Sequence, residues 1–193
     1  MRTVETTLTT TALFSEDNSK RFLLSKMWSP EKPRLAVIML TASNAAAIEL
    51  DTSTMLVLNN ASRLGFGSVD VLNLFATIND FSLKHAETED AENLEAIIKS
   101  AEKADTIVCA AGVGKAKCIA FKQRQEQVLE ALRPFESKLY CLTNEDGKAR
   151  LQHPLSPAVR TWQLSPLKIT ELLPNASKEG KADEQKKKPK TKS

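Results

Sequence analysis

Two kinds of apolar patterning alternate along this chain. Mostly apolar runs of strand length occupy residues 34–40, where the run is uninterrupted from Leu35, 68–75, 106–111 and 138–142. Such runs are what a strand shows when both faces of its sheet are covered. Between them, apolar residues recur every three or four positions. Thr54, Val57, Leu58, Ala61 and Leu64 share one face of a helix that Asp51, Thr52 or Ser53 would cap and Gly65 would stop. Ala91, Leu94, Ile97, Ile98 and Ala101 mark a second helix. Its first turn is acidic (Glu89, Asp90, Glu92) and its last is basic (Lys99, Lys103), the order the helix dipole favours. A third helix is expected over residues 115–133, with Ala116, Ile119, Ala120, Val128 and Leu132 inward and residues 122–127 as its wet face.

Alternating strands and helices predict an α/β fold: a three-layer α/β/α arrangement with a mostly parallel central sheet of about four strands. Residues 21–28 read as one further strand at the N-terminal edge, and Pro30 and Pro33 bracket the turn after it. Residues 144–147 are a turn, and residues 166–173 are expected to form a short last helix. Residues 1–19 lack periodicity and are expected to be a flexible arm. Residues 20–173 then make a single α/β domain, and residues 174–193 a disordered basic tail.

Composition narrows the class. At 193 residues, 41% hydrophobic and 26% charged, the chain can bury the core of one ordinary domain. No apolar run approaches the ~20 residues of a membrane span. Residues 1–20 lack the continuous apolar segment of a secretory signal. Cys109, Cys118 and Cys141 are odd in number and show no C-x-x-C spacing. They read as small hydrophobes in a reducing cytoplasm, and neither a metal nor a cofactor is expected. The net charge of +3 is unevenly spread: from Lys178 onward seven lysines face three carboxylates, so that tail carries +4 and the rest of the chain −1. Lys186, Lys187, Lys188 and Lys190 would either attract phosphates without sequence preference or simply solubilise the terminus.

Ligands of parallel α/β sheets bind outside the carboxyl ends of the strands, so candidate chemistry is sought there. The run 34–40 passes into Thr41-Ala42-Ser43-Asn44-Ala45-Ala46-Ala47. These small side chains either floor a cleft, with Thr41, Ser43 and Asn44 facing a ligand, or make a tight alanine-rich turn. Asn73 is an amide inside an apolar strand, two residues before Phe75. Once buried, it must bond to nearby backbone or face a ligand. His153, one of two histidines, is followed by Pro154, Leu155, Ser156 and Pro157. The prolines limit its excursions, and it is either a site residue or a structural, solvated one. His85 falls in a polar loop and is expected to be exposed. Gly112-Val113-Gly114-Lys115 lies between strand and helix but lacks both the P-loop spacing and the last glycine of G-x-G-x-x-G. It reads as a tight turn with slight capacity for an anion.

Taken together, Arg21-Phe22-Leu23-Leu24, Trp28-Ser29-Pro30, Ile38-Met39-Leu40, Asn73-Leu74-Phe75-Ala76 and His153-Pro154-Leu155 resemble a known set. In order and spacing they are similar to the bacterial and phage domain-of-unknown-function family numbered 1643, over roughly residues 21–162. Members typically read M-L-N-P-S-T-A where this chain has Met39-Leu40-Thr41-Ala42-Ser43-Asn44-Ala45, so Thr41-Ala42 replaces an Asn-Pro pair. The motif order of that family resembles in turn that of the uracil-DNA glycosylase superfamily. The resemblance implies that Asn73 reads a base edge, Phe75 stacks on the base, His153 stabilises charge on the departing base, and Leu155 fills the gap in the duplex. It puts Thr41 where the glycosylases place a water-activating Asn or Asp. A threonine hydroxyl cannot usefully accept a proton at neutral pH.

The expected function is therefore that of a nucleic-acid or nucleobase-binding protein with a glycosylase-like cleft, weak or inactive in N-glycosidic hydrolysis, with DNA or a nucleotide as its partner. Two other readings compete with it. One is a non-enzymatic phage or mobile-element accessory protein that keeps the fold, and the other an enzyme acting on a free nucleotide. The glycosylase-like reading requires Thr41, Asn73 and His153 to meet at one rim.

Overall fold

In the computed structural model, residues 1–45, 48–115, 117–147 and 150–173 are described. The tail lysines Lys186, Lys187, Lys188 and Lys190, with Ala46, Ala47 and Ala116, lie outside those residues. β3 (Arg34–Ala42) shows why the apolar runs are continuous. Its Leu35, Val37 and Met39 pack in one cluster with Val57 and Ala61 of α1 (Thr52–Arg63) and with Val159 and Trp162. Its Ala36 and Ile38 pack in another, with Ile97 and Ala101 of α2 (Ala91–Lys103) and Val128 and Leu129 of α3 (Ile119–Ala131). Helices thus cover both faces of the sheet, and alternate residues of one strand supply two cores.

The sheet has seven strands in the order β1-β2-β4-β3-β5-β6-β7. The four at its centre, β4 (Ser68–Ile78), β3, β5 (Thr106–Cys109) and β6 (Leu139–Thr143), run parallel. β1 (Thr9–Phe14), β2 (Arg21–Met27) and β7 (Gln163–Pro166) flank them in antiparallel pairing, and a four-residue helix α4 (Ile169–Leu172) follows.

Several expectations give way. The stretch expected to be a flexible arm, residues 1–19, contains β1, which pairs with β2 from Thr9↔Met27 to Phe14↔Arg21. Its alternating half-exposed pattern comes from threonines, so apolar periodicity does not reveal it. The strand expected at the sheet edge, β2, is consequently second from it. β7 was not expected at all, and Pro166 ends it rather than opening a helix, since a proline tolerates a strand edge. α3 starts at Ile119, which is exposed, and its supposed wet face contains the fully buried Arg124. That guanidinium is satisfied by carbonyls: Nε donates to Leu74 O at 2.8 Å, Nη2 to Asp90 O at 3.3 Å.

The chain leaves β3 for α1 on one face and β5 for α3 on the other. The ends of these neighbouring strands therefore diverge, and a crevice opens between them. Among the described residues, no helix is long and apolar enough to cross a membrane.

Candidate functional site

On the β4 side of this crevice lies a cleft of ≈ 530 Å³, floored by Met39, Leu40 and Thr41 at the end of β3. Ser43, Asn44 and Ala45 form one wall together with the start of α1, and Asn79 and Phe81 approach after β4. His153 and Leu155 close it from the loop after β6. Thr41, Ser43, Asn44, His153 and Leu155, all candidates from the sequence, thus share one cavity.

Asn73 and Phe75 do not line it. Asn73 is fully buried on β4: its Nδ2 donates to Thr41 O at 2.8 Å and its Oδ1 accepts from Arg21 Nη2 at 3.3 Å. The amide therefore stands behind the wall, bonded to the backbone of the loop it supports, which is the ordinary fate of a buried amide. Phe75 is 2% exposed and packs within the core on the α2–α3 face.

The loop of small residues owes its shape to a side chain beneath it. Arg21, 1% exposed, donates from Nη1 to Ser43 O at 3.0 Å and to Ala45 O at 2.6 Å. A planar fork of donors suits backbone carbonyls that the chain's turn leaves without partners. Small side chains at 41–45 let the backbone approach this fork, so they serve the loop as well as the cleft.

Asp51, read in the sequence only as one of three candidate helix caps, proves to line the cleft, as does Glu49. Its Oδ1 accepts from Thr54 N at 2.6 Å, and its Oδ2 from the Ser43 hydroxyl. Burial works against its charge, yet hydrogen bonds from Ser43 and Thr54 and the Arg21 charge together hold it below the usual aspartate range. A charged residue opening a buried strand, as Arg21 does, was the available signal for this network. The sign that Phe81 matters was equally faint: a lone aromatic in a polar loop.

His153 is half-buried, and its Nδ1 accepts from Leu155 N at 3.2 Å. Burial pushes its imidazole below the ordinary histidine value, opposed by Asp51. With Nδ1 an acceptor, the proton of the neutral ring sits on Nε2. The His153 backbone packs on Gly112, where an added Cβ would lie 3.0 Å from His153 Cβ. Gly112, at φ 77, takes the left-handed turn that brings the β5 end close to the histidine loop.

The fold and cavity define an α/β protein with a ligand-sized cleft at the carboxyl edge of the parallel centre of a mixed sheet. The chain belongs to the family described as protein of unknown function (DUF1643), whose model matches residues 21–155. That span begins at the arginine under the loop and ends at the leucine on the cleft's rim, while β1, β7 and α4 lie beyond it. No curated protein and no solved structure shows a significant match to the chain.

Proposed function

We propose that this protein binds nucleobases, free or within nucleic acid, in the cleft bounded by the end of β3, the start of α1, the loop after β4 and the His153 loop. In this reading the cleft keeps only part of a glycosylase-like layout, since Thr41 and His153 meet at one rim while Asn73 stands behind it, within an α/β/α fold of the uracil-DNA-glycosylase kind, and it is weak or inactive in hydrolysis. The observation that carries it is that Thr41, Ser43 and Asn44 share one cavity with His153 and Leu155, which come from the opposite end of the family-matched region.

A neutral imidazole fixed as an Nε2 donor suits a ring nitrogen or carbonyl of a base, or charge developing on one. Leu155, 45% exposed beside it, suits the apolar wedge that fills a vacated stack. Asn73 and Phe75 act here as supports of the cleft rather than contacts to the base. Neither Thr41 nor Asp51 is a competent base for hydrolysis. The Thr41 hydroxyl is too weakly basic, and the Asp51 carboxylate is engaged at both oxygens and held ionised.

A second reading has its own observation. Ile48, Leu50, Phe81 and Leu155 are exposed apolar residues close in sequence or space to the cleft, a surface that also suits a protein partner in a non-enzymatic accessory role.

The test incubates the full chain with uracil-, hypoxanthine- and mismatch-containing duplexes, reading affinity by anisotropy at low salt and abasic sites by alkaline strand breakage. Binding is expected, with little or no breakage, and His153→Ala or Leu155→Ala should weaken it about tenfold. Absence of binding to these duplexes and to free nucleosides would remove the nucleobase reading and favour the protein-partner one.

A further inference from the structure

The charges around the cleft and the aromatic face of Phe81 bear on which bases it takes. Resting on the nucleobase reading above, we propose that the cleft prefers a planar ring carrying positive charge, such as an N-alkylated purine, over a neutral ring or a phosphate-bearing nucleotide.

Phe81 supplies the first reason. It is 61% exposed yet lines the cleft. The loop that carries it is tied down on both sides. Asn79 N donates to Ala42 O at 2.9 Å, which joins the loop to the end of β3. The Asp80 carboxylate accepts from Ser82 Oγ at 3.0 Å, Lys84 N at 3.1 Å and His85 N at 2.7 Å. Leu83 is buried in the core on the α2–α3 face. Asn79 and Leu83 both adopt left-handed backbone, at φ 61 and 60, conformations that a leucine in particular takes only when its surroundings impose them. So constrained a backbone keeps the Phe81 ring at the cleft, where its π face can attract a planar cation through its quadrupole as well as stack with it.

Charge supplies the second. Glu49 and Asp51 line the cleft, and none of its described lining residues is lysine or arginine. Arg21, behind the loop, offsets Asp51, and Glu49 then leaves the lining net negative. His153 adds no positive charge while its ring is neutral.

The third concerns phosphate. The N-terminus of α1 opens onto the cleft and is the natural seat for an anion, but the Asp51 carboxylate already occupies it by accepting from Thr54 N. A phosphate placed there would meet two carboxylates and no cationic side chain of the lining.

The test measures binding to the full chain by titration calorimetry at neutral pH, with 1-methyladenosine, a cation under these conditions, against its neutral isomer N6-methyladenosine and against adenosine 5′-monophosphate. 1-Methyladenosine should bind about tenfold tighter than its isomer, and the monophosphate weakest of the three. Phe81→Leu and Glu49→Gln, both at exposed positions, should each narrow the gap between the isomers without altering the far-ultraviolet circular dichroism. A single-stranded oligonucleotide bearing one 1-methyladenine distinguishes the source of the ring. Tighter binding than the nucleoside assigns it to a strand, and equal or weaker binding to a free nucleoside. Equal affinity for the two isomers, or preference for the monophosphate, overturns the charge preference while base binding stands. Failure of all four probes to bind overturns both.

Discussion

His153 holds one contact that a proton would disturb. Its Nδ1 accepts from Leu155 N, and a protonated ring can only donate there. Burial also lowers its pKa from the ordinary 6.5, with Asp51 partly opposing. The unfolded chain therefore takes up this proton at a higher pH than the folded one. The associated stability is present above about pH 6.5 and is lost as the pH falls below it toward the folded value. The thermal midpoint should fall between pH 7 and pH 5, and His153→Gln should flatten that part of the profile while leaving the lower-pH carboxylate region unchanged. A wild-type profile no steeper than that of the variant would contradict this. Cleft affinity should follow the same direction, since the Nε2–H donor with Nδ1 as acceptor is a property of the neutral ring.

At the scale of elements, the cleft is set by the loops after β3 and β4 and by the His153 loop, which the loop after β5 backs at Gly112. Arg21 holds the first, Asp80 braces the second, and the third depends on a close backbone approach. At Gly112 an alanine would combine a left-handed φ of 77 with a Cβ 3.0 Å from His153 Cβ. Gly112→Ala should cost about 1–2 kcal/mol in urea denaturation and weaken nucleobase binding by displacing the histidine loop. Gly114→Ala, two residues on, meets nothing within 4 Å and should stay within ~0.5 kcal/mol of wild type. Equal effects would mean that the contact with His153 carries no weight. Much of this layer was legible beforehand. The cap at Asp51, the polarity of α2 and the four parallel strands follow from patterns within a few residues of one another. The buried face of α3 was not legible, because Arg124 looks like a surface residue until Leu74 and Asp90 offer it carbonyls from elsewhere in the chain.

For the whole molecule, the parallel centre needs protection at both margins, and antiparallel strands supply it. β1 covers the edge of β2, and Lys26 Nζ donates across the pair to Thr10 Oγ1 at 3.1 Å. Residues 1–8 are exposed. Deleting residues 1–8 should leave the thermal midpoint unchanged. Deleting residues 1–14 should lower it by roughly 5 °C or more and promote association through the bared strand. If the two truncations behave alike, β1 contributes nothing to the fold.

Local patterning was enough to establish the alternation of strands and helices, the fully buried centre of the sheet and the strand-end position of Thr41. These are consequences of hydrophobic period and capping, which act between near neighbours in the chain. Which side chains meet was a different matter. Asn73 stands behind the cleft rather than on it, Asp51 lines it, Phe81 takes the aromatic position at the rim that the sequence reading gives to Phe75, and Arg21 organises the loop after β3 from β2, two strands away in the sheet. Each outcome depends on packing between segments that lie far apart along the polymer, where burial and hydrogen-bond satisfaction are shared across the sheet and no single segment carries the information alone.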